Sequence, residues 1–138
     1  MAIQKLASRM KVTAYDFDPD STDLTDVAWV DMRDYENILV KFFRTVGTSD
    51  VVFKIIANTA SDGSGTDVVL KTSTADPDAT GDYAFLEANA EDIAAAGDGY
   101  RYVSAQVSVA TDTDEGVVTY IRGIAKRQEE NLTADVIA

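Results

Sequence analysis

Carboxylates are the side chains with the most chemistry to offer in this sequence. Asp16, Asp18 and Asp20 alternate along the chain with Asp23 close behind, and a second acidic run holds Asp112, Asp114 and Glu115. Alternating acids of the first kind resemble a calcium loop, but the EF-hand pattern wants glycine at its sixth position and glutamate at its twelfth. Ser21 and Val27 stand there instead, so the run reads as an acidic surface loop. In the second run Asp112 and Asp114 are a pair from which a carboxylate-based hydrolase could be built; the plainer reading is a hairpin tip. Ser61-Asp62-Gly63-Ser64-Gly65 lacks the Lys-Ser/Thr that follows the glycines of a phosphate loop, and it reads as a turn. Trp29, Tyr83, Phe85, Tyr100, Tyr102 and Tyr120 could furnish a carbohydrate platform, with core and edge packing as the simpler role for such rings.

The missing residue types restrict chemistry further. Neither histidine nor cysteine occurs in the 138 residues. Histidine is the usual general base near neutral pH and the usual transition-metal ligand. Without it and without a thiolate, zinc centres and Ser-His or Cys-His nucleophile pairs cannot be assembled. The expectation is a chain with no catalytic residues, no cofactor and no metal. Net charge is −12 and is unevenly spread. Residues 1–11 carry Lys5, Arg9 and Lys11 with no acid, whereas residues 12–40 carry eight acids against Arg33 alone. A surface so acidic repels phosphate backbones, so nucleic acid is not an expected partner. No apolar run approaches the roughly 18 residues that a membrane helix needs, and the first dozen residues lack the apolar centre of a secretory signal.

The elements that would position any site are strands. Ile38, Val40 and Phe42 share one face of a strand from Asn37 to Val46, and Asp50 to Ala57 is β-branched and aromatic throughout. With Gly47-Thr48-Ser49 between them, these two read as a hairpin. Further strands are expected at Asp26–Met32, Asp67–Ser73 and Asp82–Glu87. Two longer ones, Tyr100–Ala110 and Gly116–Ala125, flank the acidic run at 111–115. Between Glu87 and Tyr100 lies the single clear helix, capped by Asn89, with Glu91 and Asp92 in its first turn and Gly97 ending it. Phe42, Val103, Val107 and Ile121 are the expected core. Seven or so short strands with one short helix predict an all-β fold, an antiparallel β-sandwich or barrel of jelly-roll-like kind. The expected organisation is an N-terminal arm and acidic lead-in over residues 1–26, one β-sandwich domain over 27–127 and a C-terminal arm over 128–138.

The stretches Asp34-Tyr35 through Phe42, Asp82-Tyr83-Ala84-Phe85-Leu86-Glu87-Ala88, Arg101-Tyr102-Val103-Ser104-Ala105 and Val117-Val118-Thr119-Tyr120-Ile121-Arg122 together resemble the head decoration, or cement, proteins of tailed bacteriophages. The resemblance covers about residues 27–138 and lies in strand order and phrasing. It implies a β-rich lobe bound to the exterior of the capsid, hardening the shell against internal DNA pressure. The expected partners are then the major capsid protein and further copies of the chain, a trimer among the options, with no nucleic acid and no membrane. The expected contact residues are Lys5, Arg9 and Lys11 in the basic arm and Val136 and Ile137 in the apolar C-terminal one. Alternatives are a tail-tube or head–tail adaptor subunit, or a carbohydrate- or calcium-binding module.

Overall fold

The computed structural model describes residues 10–17, 25–48, 50–73, 77, 79–109 and 114–125. Eight strands and one helix follow in the order β1 (Met10–Phe17), β2 (Thr25–Asp31), β3 (Tyr35–Val46), β4 (Val51–Asn58), β5 (Val68–Thr72), β6 (Tyr83–Asn89), α1 (Ala90–Ala96), β7 (Tyr102–Val109) and β8 (Glu115–Ala125). They form two four-stranded sheets, β1-β8-β3-β6 and β2-β7-β4-β5. The pairing is nested: β1 lies antiparallel to β8, β2 to β7, β3 to β6 and β4 to β5. A long antiparallel ribbon folded in half and rolled up so that its halves face each other is a jelly roll. The expected fold class is therefore the one observed.

Alternation dictates what lies between the sheets. On β3, Ile38, Val40 and Phe42 are fully buried, and across the sandwich Phe53, Ile55, Val103 and Val107 meet them with no exposed surface. Phe42 joins the layers, its ring centroid 6.1 Å from that of Phe17 and 6.0 Å from that of Phe53. Each such side chain contributes about 1.5–3 kcal/mol by leaving water. Tyr120 is the polar exception at the centre. Its hydroxyl donates to the Ala28 carbonyl and accepts from the Ala105 amide, both at 2.8 Å, so one side chain of the first sheet stitches two strands of the second.

The helix begins as its residues predict. Asn89 accepts from the Asp92 amide and Asp92 accepts from the Asn89 amide, both at 2.9 Å, a reciprocal capping box. Ile93 is the residue it buries, Gly97 ends it at φ 133°, and Asp92 also meets Lys71 of β5 at 3.3 Å.

Three expectations are corrected. β3 and β4 are not a hairpin, because they lie in opposite sheets and pack face to face through Phe42 and Phe53. β7 and β8, which flank the acidic run read as a hairpin tip, are not a hairpin either, since they too belong to different sheets. Ile121 is only half-buried, while Val118, Tyr120 and Arg122 point inward. β8 is apolar on both parities, and its register on β3, Phe42 opposite Val118 and Val40 opposite Tyr120, selects the even residues. In addition, Met10–Phe17, read as arm and lead-in, is an edge strand paired along its whole length with β8.

Candidate interaction surface

The odd residues of β3 and β8 and their neighbours make the outer face of the first sheet, and strand register arranges them in rows. One row runs Asp16, Val117, Phe43, Tyr83; the next runs Ala14, Thr119, Lys41, Phe85; a third runs Val12, Ile121, Leu39, Glu87. No other element of the described chain is packed over this face. Val12, Tyr83 and Phe85 are 59%, 56% and 59% exposed, and Phe43 is exposed as well. Two of these rings, Tyr83 and Phe43, flank one cation, and the third, Phe85, stacks on Tyr83. The Tyr83 and Phe85 rings are stacked 15° from parallel with centroids 6.3 Å apart. Lys41 Nζ sits 4.7 Å from the Tyr83 centroid and 5.8 Å from that of Phe43, within the range of a cation–π contact.

β6 explains why aromatic rings face water. Its inward positions are Ala84, Leu86 and Ala88, opposite the large Phe42, Val40 and Ile38 on β3. The alanines at two of these three positions leave room for the bulky Phe42 and Ile38, and the larger rings take the other parity. Tyr83 and Phe85 belong to the aromatic set recognised in the sequence; Phe43 and Lys41 do not, and register is what joins them. The remaining members of that set go elsewhere: Tyr120 is buried, while Trp29, Tyr100 and Tyr102 are half-buried.

The outer face of the second sheet is covered at one end, around Ile56 and Trp29, while Val52 and Val69 on it stay exposed. Asn58 is fully buried at the end of β4 and organises the loop that follows. Its amide nitrogen donates to the Gly63 carbonyl at 3.1 Å and to Asp67 at 2.7 Å, and its oxygen accepts from the Ala60 and Gly65 amides at 2.8 and 3.1 Å. Gly63, at φ 75°, lies so close to the Trp29 indole that a Cβ would come within 2.4 Å of Nε1. Polar pairs continue this face. Arg101 grips Asp31 through both Nε, at 2.7 Å, and Nη2. This hydrogen-bonding holds the Asp31 carboxyl below its ordinary range. Asp26 accepts from Gln106 at 3.1 Å, yet partial burial pushes its carboxyl up.

Of the acidic residues singled out for chemistry, Asp16, Asp114 and Glu115 are described. Asp114 is buried and lies 3.2 Å from Arg44 Nη1, itself fully enclosed; Arg44 Nε also donates to the Pro77 carbonyl at 2.6 Å. Gly47 makes room for this pair, at φ 101° and with a hypothetical Cβ only 1.6 Å from Asp114 Oδ1. Asp114 is thus engaged as a structural counter-ion. Glu115 is exposed at the start of β8, and Asp16 is exposed on β1. Asp18, Asp20, Asp23 and Asp112 lie outside the described residues, as do Lys5, Arg9, Val136 and Ile137. Lys11 is described: it lies on β1 opposite Arg122, half-buried, as part of the sheet. Among the described residues no group of three His, Cys, Asp or Glu could hold a metal ion. An open groove of about 270 Å³ runs beside α1, lined by Met32, Ile93, Tyr100 and Arg101 among others, just under the roughly 300 Å³ of the smallest ordinary ligand sites.

No protein-family model matches the chain, and no curated protein matches it. Its fold is found among solved structures. The SPBc2 prophage-derived protein YomS aligns over 88% of this chain and 97% of its own, with a TM-score of 0.50 and 17% identity. The Yersinia pseudotuberculosis-derived mitogen aligns over 82% of this chain and 86% of its own, with a TM-score of 0.50 and 9% identity. At such identities the likeness is one of fold alone.

Proposed function

We propose that this chain is a structural protein of a virion, a decoration subunit that binds the exterior of a tailed-phage capsid and stabilises it. The observation that carries the reading is the uncovered apolar face of the first sheet, centred on Phe43, Tyr83 and Phe85. Clustered exposed rings on an otherwise acidic, well-packed domain are the mark of a protein-binding surface. The jelly roll supports it, being an architecture widely used in capsids, and YomS, a protein of prophage origin, shares the fold. The same jelly roll serves lectins and cupins. Cupin chemistry runs on histidine-bound metal, and this chain has no histidine. The proposed contacts also include Lys5 and Arg9, whose charge is opposite to that of an acidic neighbour, and the apolar pair Val136 and Ile137.

Co-sedimentation with undecorated capsid shells tests the proposal. Binding of the full chain is the expected result, weakened by salt to the extent that Lys5 and Arg9 contribute. Absence of binding at every ionic strength would sink it. Closed rings of the purified chain in electron micrographs would point instead to a tail-tube or adaptor subunit. A second reading, carbohydrate binding, draws on the near-parallel Tyr83 and Phe85 rings, and a glycan array decides it.

A further inference from the structure

We infer that the outer face of the β1-β8-β3-β6 sheet is where a second copy of this chain docks, sheet against sheet, with Phe43, Tyr83 and Phe85 at the centre. The inference rests on the reading of the chain as an assembling structural protein, and it gives the open face to a second copy, leaving the capsid contact to Lys5, Arg9, Val136 and Ile137.

Shape is the first argument. A twisted β-face is matched best by another of the same twist, and two such faces pack about 10 Å apart at roughly 30°. A second copy presents that partner automatically. Four strands at about 4.8 Å spacing and some eight residues at about 3.3 Å give a footprint near 500 Å². Rings standing clear of the sheet make its accessible area larger than that footprint. The roughly 600 Å² per partner at the lower end of stable interfaces is then within reach.

Charge is the second. The described positions of the three rows carry one cation, Lys41, on an inner strand, and two exposed acids, Asp16 and Glu87, on the two edge strands. A two-fold axis lying between the sheets brings each copy's Lys41 toward an edge carboxylate of the other and makes every contact twice. The face is thus apolar at its centre, and each copy's Lys41 can pair with one edge acid of the other, leaving one edge acid per copy exposed. The chain as a whole, at −12, repels its copy. Salt therefore strengthens this association by screening that repulsion, the opposite of its effect on contacts made by Lys5 and Arg9 with an acidic capsid surface.

Sedimentation of the purified full chain, without capsids, at low and high salt is the experiment. The expected result is concentration-dependent association that tightens as salt is raised. Phe85→Lys and Tyr83→Ser should each weaken it roughly tenfold or more, as truncating a central interface anchor does. Val52→Ser, at an exposed position on the other sheet, should leave it unchanged. Circular dichroism confirms that each variant is folded, and Phe85→Ser replaces Phe85→Lys if the latter is not. A monomer at every concentration and salt, association indifferent to both Tyr83 and Phe85, or equal weakening by Val52→Ser would each overturn the inference. Because capsid binding is read separately, a monomer that still binds shells would remove the docking face and leave the proposed function standing.

Discussion

The two outer faces of this sandwich are built from similar strands and finished differently: the chain covers one end of one with its own loop, leaving Val52 and Val69 exposed, and covers none of the aromatic cluster on the other. Over the β2-β7-β4-β5 sheet, a single buried amide, Asn58, gathers the loop that follows and sets Gly63 against Trp29. Ile56, which points outward from that sheet, has no exposed surface as a result. Over the β1-β8-β3-β6 sheet, Tyr83 and Phe85 remain more than half exposed. The lesson is thermodynamic. Where the chain covers its own apolar surface, the side chains involved serve stability; where it leaves that surface open, they are free to serve association.

Substitutions in the enclosed interior, behind both faces, should have the largest effect. Asp114→Ala removes an enclosed carboxylate 3.2 Å from the buried Arg44 guanidinium, and losing one member of a buried pair costs about 3–5 kcal/mol. Thermal unfolding should show the loss, whether or not the chain is assembled. An unchanged midpoint would mean that the other partners of Arg44 hold its charge without Asp114.

Asn58→Ala attacks the covered end of the second sheet alone. Four hydrogen bonds go with it, leaving buried loop groups unpaired at an expected cost of roughly 2–4 kcal/mol. Trp29 fluorescence should shift to the red as the loop lifts from the indole. Unshifted emission with a lowered midpoint would show that the loop is held by something other than Asn58.

A smaller, pH-dependent effect comes from the centre. Burial pushes the Tyr120 phenol above its ordinary value of 10.0. An acid with a raised folded value holds its proton more tightly when folded, so ionisation above pH 10.0 favours the unfolded chain. Stability should fall as pH climbs through that region, and Tyr120→Phe should flatten the decline while lowering stability at neutral pH through the lost bridge between Ala28 and Ala105. A decline equally steep in the variant would assign it to other groups.

The smallest effect on stability belongs to the open face. Tyr83→Ser with Phe85→Ser should change the unfolding free energy of the dilute chain by no more than about 0.5 kcal/mol per site, measured by denaturant titration. A loss several times larger would mean that these rings already pack against the chain itself, and the contrast between the faces would dissolve.

Much of this was legible in the residues. Ile38, Val40 and Phe42 announce a strand with a buried face, Val103 and Val107 another, and Asn89 with Asp92 marks the start of the helix. The absence of histidine and cysteine narrowed the chemistry before any coordinate was known. Less legible was the sheet edge at Met10–Phe17. There basic and acidic residues break the apolar rhythm, and pairing with β8 supplies the stability that local pattern does not.

What the sequence determined by itself is therefore local: period-two alternation, turn residues with positive φ, and a capping box are all encoded within a few residues of one another. What the tertiary structure decided is who faces whom. A strand's alternation is the same whether its sequence neighbour lies beside it in a sheet or across the core from it, so β3 and β4 looked like a hairpin and are opposing layers. Register chose Tyr120 over Ile121 for the interior. It also drew Asp114 out of an acidic run to neutralise Arg44, and placed Lys41 among Phe43 and Tyr83. Each of these depends on contacts between residues far apart in the chain, and no local propensity carries that information.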